Sequence, residues 1–145
     1  MNGALEILIV EDNPRDLEMT VRALKRHNLA NRVLSLGDGQ AALDYLRREG
    51  EYASRDPEIL PNVVFLDLKL PKVDGLEVLR QIKGDPSLKM LPVVMLTSSS
   101  QERDRIASYD LGVNSFVVKP IDFESFASTI AQLGFYWLVV NEPPR

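Results

Sequence analysis

The sequence predicts an α/β fold, a doubly wound five-stranded parallel sheet in the order 2-1-3-4-5 with helices on both faces. Two observations predict this fold. Short apolar runs alternate five times with segments of helical character, and most connections between them are short. The first apolar run is continuous instead of alternating with polar residues, which is typical of a strand buried on both faces.

The first strand is predicted at Leu5–Val10, and a helix follows it. Pro14 stands where the first helical residue belongs, because its fixed φ suits that position and its missing N–H is not needed there. Leu17, Val21 and Leu24 then recur at helical spacing. The chain therefore begins with a strand–helix unit.

The same alternation continues along the chain. The remaining strands are predicted at Arg32–Leu36, Val63–Leu68, Val93–Thr97 and Ser115–Val118. The remaining helices are predicted at Gln40–Arg48, Leu76–Lys83, Glu102–Leu111 and from Phe123 onward. One connection is long: residues 49–61 are polar and carry prolines, so we expect a surface loop.

Length and composition exclude several classes of protein. The 145 residues suffice for one full-sized core, which we assign to residues 1–134, with residues 135–145 as an apolar arm. A net charge of −4 argues against a nucleic-acid surface. No stretch approaches the roughly 20 apolar residues of a membrane span, and the start does not have the pattern of a secretory signal. The absence of cysteine agrees with a cytoplasmic location.

Polar residues stand at the carboxyl ends of four predicted strands, where open parallel sheets bind their ligands. These residues are Glu11 and Asp12 after the first strand, Asp67 in the third, Thr97 in the fourth, and Lys119 with Pro120 after the fifth. If the first and third strands are neighbours, as in the flavodoxin-like order, three carboxylates meet and repel one another. A hard cation would offset them, and Mg²⁺ is the first candidate, with Mn²⁺ as an alternative.

Each of these residues also has an ordinary structural explanation. The segment Glu11–Pro14 can cap a helix, and Asp67 can form a turn at a strand end. Thr97 suits a strand by propensity, and Lys119 can be a solvated charge. Acid, acid, hydroxyl and amine at four separate strand ends are, however, an improbable coincidence, so the set indicates a functional site.

The order of these residues resembles the receiver domain of two-component response regulators, over about residues 5–133. The motifs that carry the resemblance are Leu8–Asn13, Val64–Pro71, Asp74-Gly75, Leu96–Ser98 and Val118–Pro120. The long loop and the C-terminal tail look most like the small single-domain regulators paired with bacterial phytochrome kinases.

The resemblance implies a role for each residue of the set. It implies that Asp67 is the phosphoacceptor and that Thr97 and Lys119 contact the phosphoryl group. It implies that Mg²⁺ is bound by Asp12, Asp67 and the Lys69 backbone carbonyl directly, and by Glu11 through a water. It also implies that Phe116 is an aromatic switch, together with Thr97, and that the Lys119-Pro120 peptide bond is cis. It further implies a sensor histidine kinase as partner, and no turnover of an independent substrate.

The apolar run near the C-terminus is predicted to be a homodimer contact. It consists of Phe135, Tyr136, Trp137, Leu138, Val139 and Val140. Neither one helix face nor one strand face can bury six consecutive apolar residues, so a second copy of the chain is the simplest cover. The alternative is that the run folds back on its own domain.

The sequence argues against three other functions. A phosphatase of the haloacid dehalogenase type would need an acid two residues after its nucleophile, but Asn13 follows Glu11 and Lys69 follows Asp67. Direct binding to DNA would need a basic recognition helix, and the sequence predicts none. A scaffold that is never phosphorylated would not need the intact set of site residues.

Overall fold

Five parallel strands form one sheet whose edge-to-edge order is the second, first, third, fourth and fifth strand of the chain. The computed structural model describes residues 6–26, 32–56, 60–97, 102–113, 115–119 and 124. The strands are β1 Glu6–Val10, β2 Arg32–Leu36, β3 Val63–Asp67, β4 Val93–Thr97 and β5 Ser115–Val118. The helices are α1 Pro14–Arg26, α2 Gly39–Arg47, α3 Gly75–Gly84 and α4 Glu102–Asp110. The predicted fold class and strand order are confirmed.

The inner strands β1, β3 and β4 bury both of their faces, as continuous apolar runs predict. On one face, Leu8 and Leu66 belong to a buried cluster with the apolar residues of α2 and α3. On the other face, Ile9 and Phe65 pack in a second cluster with Ala23 and other residues of α1. Burial of this apolar surface on both sides is the main force that holds the sheet together.

Side-chain caps set where three helices begin. The Asn13 Oδ1 accepts the N–H of Arg15 at 2.9 Å and that of Asp16 at 3.2 Å, directly before the Pro14 start of α1. Asp38 and Asp74 accept N–H groups in the first turns of α2 and α3, at 2.7 and 3.1 Å. Each cap satisfies backbone donors that a helix start leaves without partners.

The predicted boundaries of the described strands and helices agree with the structure to within one residue. Strand β3 ends at Asp67 instead of Leu68, because the Asp67 Oδ1 accepts the Lys69 N–H at 3.1 Å and turns the chain. The predicted surface loop at 49–61 contains a short 3₁₀ helix, Gly50–Tyr52, whose Tyr52 ring packs edge-on against Tyr45. The last predicted helix and the apolar arm lie outside the described residues.

Parallel register brings the carboxyl ends of β1, β3, β4 and β5 to one edge of the sheet. Val10 pairs with Leu66, the residue before Asp67, and Thr97 pairs with Val118, the residue before Lys119. Residues that stand far apart in the sequence therefore meet at this edge. Within the part of the chain that the structure describes, no helix is long and apolar enough to cross a membrane.

Candidate functional site

Asp67 lies at the end of β3 with both carboxylate oxygens held in place. Its Oδ1 accepts the backbone N–H of Lys69 at 3.1 Å, and its Oδ2 accepts from the Lys119 Nζ at 3.2 Å. The residue is 7% exposed, so it is nearly buried but reachable from the sheet edge. A carboxylate with a fixed orientation and a neighbouring ammonium is suited to act as a nucleophile.

Glu11 and Asp12 follow β1, as predicted, and differ in exposure. Glu11 is buried and accepts the N–H of Asn13 through Oε2 at 3.2 Å, whereas Asp12 is exposed. The capping role that the sequence allowed for this segment falls to Asn13, whose Oδ1 serves the first turn of α1. The described hydrogen bonds therefore do not use Glu11 or Asp12 as the cap of α1.

Three carboxylates converge at this edge of the sheet. Glu11, Asp12 and Asp67 each offer one oxygen, and these oxygens lie within 4.8 Å of one another. Like charges at this spacing repel, and folding alone gives no reason to gather them. Their donor set consists only of hard oxygen atoms and includes one exposed group open to solvent, which fits Mg²⁺, an ion that keeps several of its own waters.

Lys119 reaches this cluster from the end of β5. Its Nζ lies 2.7 Å from the Glu11 Oε1, 2.8 Å from the Asp16 Oδ2 and 3.2 Å from the Asp67 Oδ2. The lysine side chain is 9% exposed, so all three contacts form in a largely desolvated place. A buried ammonium needs such partners, because an unpaired charge away from water is very costly.

Asp16 is a site residue that the sequence did not reveal. It stands in the first turn of α1, where an acidic residue has an ordinary role next to the positive end of the helix dipole. Apart from its place in the first turn of the helix that follows Glu11 and Asp12, the sequence holds no signal that selects it.

The electrostatics of the cluster appear in two pKa shifts. Burial raises the pKa of Glu11 to about 7; the hydrogen bond from Lys119 opposes this rise, and the Asp67 carboxylate adds to it. Burial alone would lower the pKa of Lys119, but hydrogen bonds with Asp16 and Glu11 and the charge of Asp67 outweigh it and raise the pKa. The ammonium therefore stays charged at neutral pH.

The loop after Asp67 is fixed by close backbone packing. The Gly75 N–H donates to the Leu68 carbonyl at 2.8 Å, and a Cβ on Gly75 would lie 2.1 Å from the Asp67 carbonyl oxygen. The Gly39 N–H, at the start of α2, donates to the Pro71 carbonyl at 3.3 Å. The predicted Asp74-Gly75 motif thus includes a position, Gly75, where the close approach to the Asp67 carbonyl leaves room only for glycine.

The other predicted site residues are placed in part. Thr97 ends β4 as predicted, but its side chain lies outside the described part of the structure. Phe116 is half-buried and packs against the core cluster shared with α2 and α3. Pro120, and with it the predicted cis peptide, lies outside the described residues, as does the arm at 135–140. The Lys69 backbone N–H donates to Asp67, and the role of the Lys69 carbonyl as a metal ligand stays a prediction.

Comparisons with known proteins agree with this geometry. The family model of the response regulator receiver domain matches residues 7–131. The chain is 45% identical over 139 residues to the probable methanogenesis regulatory protein FilR2 of Methanothrix harundinacea, covering 95% of this chain and 86% of that protein. It is 41% identical over 132 residues to the response regulator Rcp1 of Synechocystis sp., covering 91% and 88%.

Solved structures give the same result. The bacteriophytochrome response regulator RtBRR superposes with a TM-score of 0.84 at 55% identity, over 97% of this chain and 84% of that one. The Mn²⁺-bound form of Rcp1 gives 0.79 at 38% identity, over 97% and 99%. The phosphorylated cyanobacterial phytochrome response regulator RcpA gives 0.80 at 38% identity, over 99% and 100%. The chain therefore belongs to the response regulator receiver domain family and resembles the members that are paired with phytochromes.

Proposed function

We propose that the chain is a single-domain response regulator that accepts a phosphoryl group onto Asp67 from a sensor histidine kinase. The observation that carries this proposal is the placement of Asp67, whose Oδ2 faces the Lys119 ammonium beside Glu11 and Asp12. A relative with a similar fold was solved in phosphorylated form, which supports the same chemistry here. The signal would then pass to other proteins through a change of shape.

In the proposed reaction, a carboxylate oxygen of Asp67 attacks the phosphorus of a kinase phosphohistidine. A P–O bond forms and the P–N bond breaks, so the imidazole leaves with its electron pair and takes up a proton, and Asp67 becomes an acyl phosphate. Lys119 offsets the negative charge of the transferred group, and the Lys69 N–H keeps the nucleophile oriented. We infer no turnover of an independent substrate.

The acidic cluster would hold Mg²⁺ during this step. Asp12, Asp67 and the Lys69 carbonyl are the proposed direct ligands, and Glu11 is proposed to act through a water. When bound, the ion supplies positive charge next to the transferred group. The similar regulator Rcp1 was solved in a Mn²⁺-bound form, which supports divalent cation binding here, and Mn²⁺ is the proposed alternative to Mg²⁺.

The proposed partner is a histidine kinase of the bacteriophytochrome type, supported by the similarity to RtBRR. We also propose that the chain forms a homodimer and binds no nucleic acid. Thr97 and Phe116 are the proposed switch pair, which would report phosphorylation of Asp67 to the α4–β5 side of the sheet. The cytoplasmic location stays a prediction from the sequence.

Phosphorylation in vitro tests the central proposal. Incubation with acetyl phosphate and Mg²⁺ should add one phosphoryl group to the natural chain, measured by intact mass. Asp67→Asn should give no adduct, because the amide is a poor nucleophile. Asp110→Asn, which removes an exposed carboxylate at the end of α4, should be phosphorylated like the natural chain. An adduct on Asp67→Asn, or none on the natural chain, would contradict the proposal.

A further inference from the structure

Asp16 is a third carboxylate partner of Lys119 to which the proposed reaction gives no role. The lysine ammonium has three N–H donors, and the three described acceptors are Glu11, Asp16 and Asp67. The contact with Asp16, at 2.8 Å, is shorter than the contact with Asp67, at 3.2 Å. In this structure, all the donors of Lys119 therefore have carboxylate acceptors.

The first turn of α1 fixes the position of Asp16. Its N–H donates to the Asn13 Oδ1 at 3.2 Å, and its carbonyl accepts the hydroxyl of Thr20, a fully buried residue, at 3.0 Å. The Asp16 side chain is 29% exposed, so water only partly screens its charge. Side chains thus bind both the backbone N–H and the backbone carbonyl of Asp16, and this fixes the residue that contacts Lys119.

Phosphorylation of Asp67 would place a negatively charged group near the Asp16 carboxylate. An acyl phosphate carries more negative charge than the carboxylate it replaces and needs at least one donor of Lys119. Asp16 and Asp67 both contact the same nitrogen, so their oxygens lie no more than about 6 Å apart, a distance at which like charges interact. Asp16 consequently draws the ammonium toward α1 and repels the incoming charge.

We propose that Asp16 is a positioning residue that competes with the phosphoryl group for Lys119 and so slows phosphorylation of Asp67. The inference rests on the proposed function, because it assumes that Asp67 is the acceptor. It assigns a regulatory role to the first turn of α1, through the 2.8 Å contact of Asp16 with Lys119.

The test compares Asp16→Asn with Asp16→Glu and with Glu18→Gln in the full chain. Glu18 lies on the same helix, is exposed, and pairs with Arg22, so its change removes one charge away from Lys119. The initial rate of adduct formation with acetyl phosphate is measured by intact mass at saturating Mg²⁺, and stability by urea unfolding. Asp16→Asn should be phosphorylated about three- to fivefold faster, the size of effect expected for one half-screened charge contact.

Asp16→Glu keeps the charge and should restore the natural rate, and Glu18→Gln should also match it. Asp16→Asn should be no more stable than the natural chain, since it loses an ion pair; a faster reaction without a gain in stability is not expected from a purely structural role. An unchanged or slower rate in Asp16→Asn, with the natural chain active, would overturn the inference alone. Absence of adduct on the natural chain would overturn the proposed function and this inference together.

Discussion

At the scale of single residues, the site gathers carboxylates that repel one another around the positive charge of one lysine. Glu11, Asp12 and Asp67 bring oxygens within 4.8 Å of one another, and burial raises the pKa of Glu11 to about 7. Lys119 offsets part of this repulsion through contacts with Glu11 and Asp67, but it has no described contact with Asp12. Of these acidic residues, Asp12 should therefore cost the folded chain the most when no cation is present.

Replacement of Asp12 by asparagine tests this cost. Without Mg²⁺, Asp12→Asn should raise the free energy of unfolding by about 0.5–1 kcal/mol, because it removes one of three repelling charges at an exposed position. Mg²⁺ should stabilise the natural chain, since a ligand of the folded state adds to its stability, and should stabilise Asp12→Asn much less. Urea unfolding with and without Mg²⁺ measures both effects.

The matched control is Glu49→Gln, which removes an exposed carboxylate beyond the C-terminal end of α2. It should respond to Mg²⁺ like the natural chain. A loss of stability in Asp12→Asn without Mg²⁺ would show that Asp12 does not cause the repulsion. A full response of the variant to Mg²⁺ would show that Asp12 does not bind the ion.

The sequence predicted the residues that stand directly at strand ends and failed for a residue inside a helix. Asp67 and Lys119 follow from strand order, because parallel strands all deliver their last residues to one edge of the sheet. Asp16 has an ordinary role in the first turn of a helix, so its type and position gave no reason to select it. The ion pairs of Lys119 depend on how far its side chain extends and in which direction, and the pattern of residues at strand ends does not predict this.

At the scale of elements, the connection from β3 to α3 carries a residue that orients the Asp67 carboxylate. This connection, residues 68–74, carries Lys69 and is held by hydrogen bonds from Gly75 to Leu68 and from Gly39 to Pro71. Lys72 within it has a φ of 68°, a left-handed conformation that costs a lysine roughly 1 kcal/mol. Contacts at both ends therefore hold the loop in a conformation that is not intrinsically favourable.

A paired set of glycine substitutions tests the importance of this loop. In Gly75→Ala, the new methyl group would lie 2.1 Å from the Asp67 carbonyl, so the loop must shift and the free energy of unfolding should fall by about 2 kcal/mol or more. Phosphorylation of Asp67 by acetyl phosphate should slow as well, because the orientation of the nucleophile changes. Urea unfolding and intact mass measure the two effects.

Gly84→Ala provides the control for adding a methyl group to the same helix. A Cβ on Gly84 meets no atom within 4 Å, and alanine favours the helix, so stability should rise by up to about 1 kcal/mol with the phosphorylation rate unchanged. Equal effects of the two substitutions would mean that the close packing at Gly75 does not control the loop.

Element boundaries show where sequence patterns lose precision. All five strands were predicted at the observed ends or within one residue of them, because their apolar runs stop abruptly. Helices α2 and α3 each begin one residue earlier than predicted, at Gly39 and Gly75. Both are glycines that periodicity does not count, and the capping residues Asp38 and Asp74 decide the start.

At the scale of the whole molecule, the sheet acts as a frame that joins distant parts of the sequence. Lys119 meets Glu11 across 108 residues and Asp67 across 52 residues, because parallel pairing brings the ends of their strands to one edge and the lysine side chain reaches across it. Parallel strands with helical crossovers permit this arrangement, and the alternation of elements made it predictable. The described residues do not reach the apolar run at 135–140, so its role stays a prediction from the sequence.

That run carries the prediction for the assembled protein. A chain ended after Gly134 should sediment as a monomer at micromolar concentrations, whereas the natural chain should sediment as a dimer, with or without acetyl phosphate and Mg²⁺. The physical reason is that six consecutive apolar residues, including Tyr136 and Trp137, cannot all face one side of their own domain. Tyr and Trp are enriched at the centres of interfaces, and a two-fold pair is the simplest closed assembly.

A double replacement, Tyr136→Ser with Trp137→Ser, separates this contact from damage caused by truncation. It keeps the chain length and removes the two aromatic side chains, so it should also sediment as a monomer, while Asp67 should still accept a phosphoryl group. Phosphorylation at the natural rate shows that the receiver domain remains folded. A natural chain that stays monomeric under all these conditions would instead favour a run that folds back on its own domain.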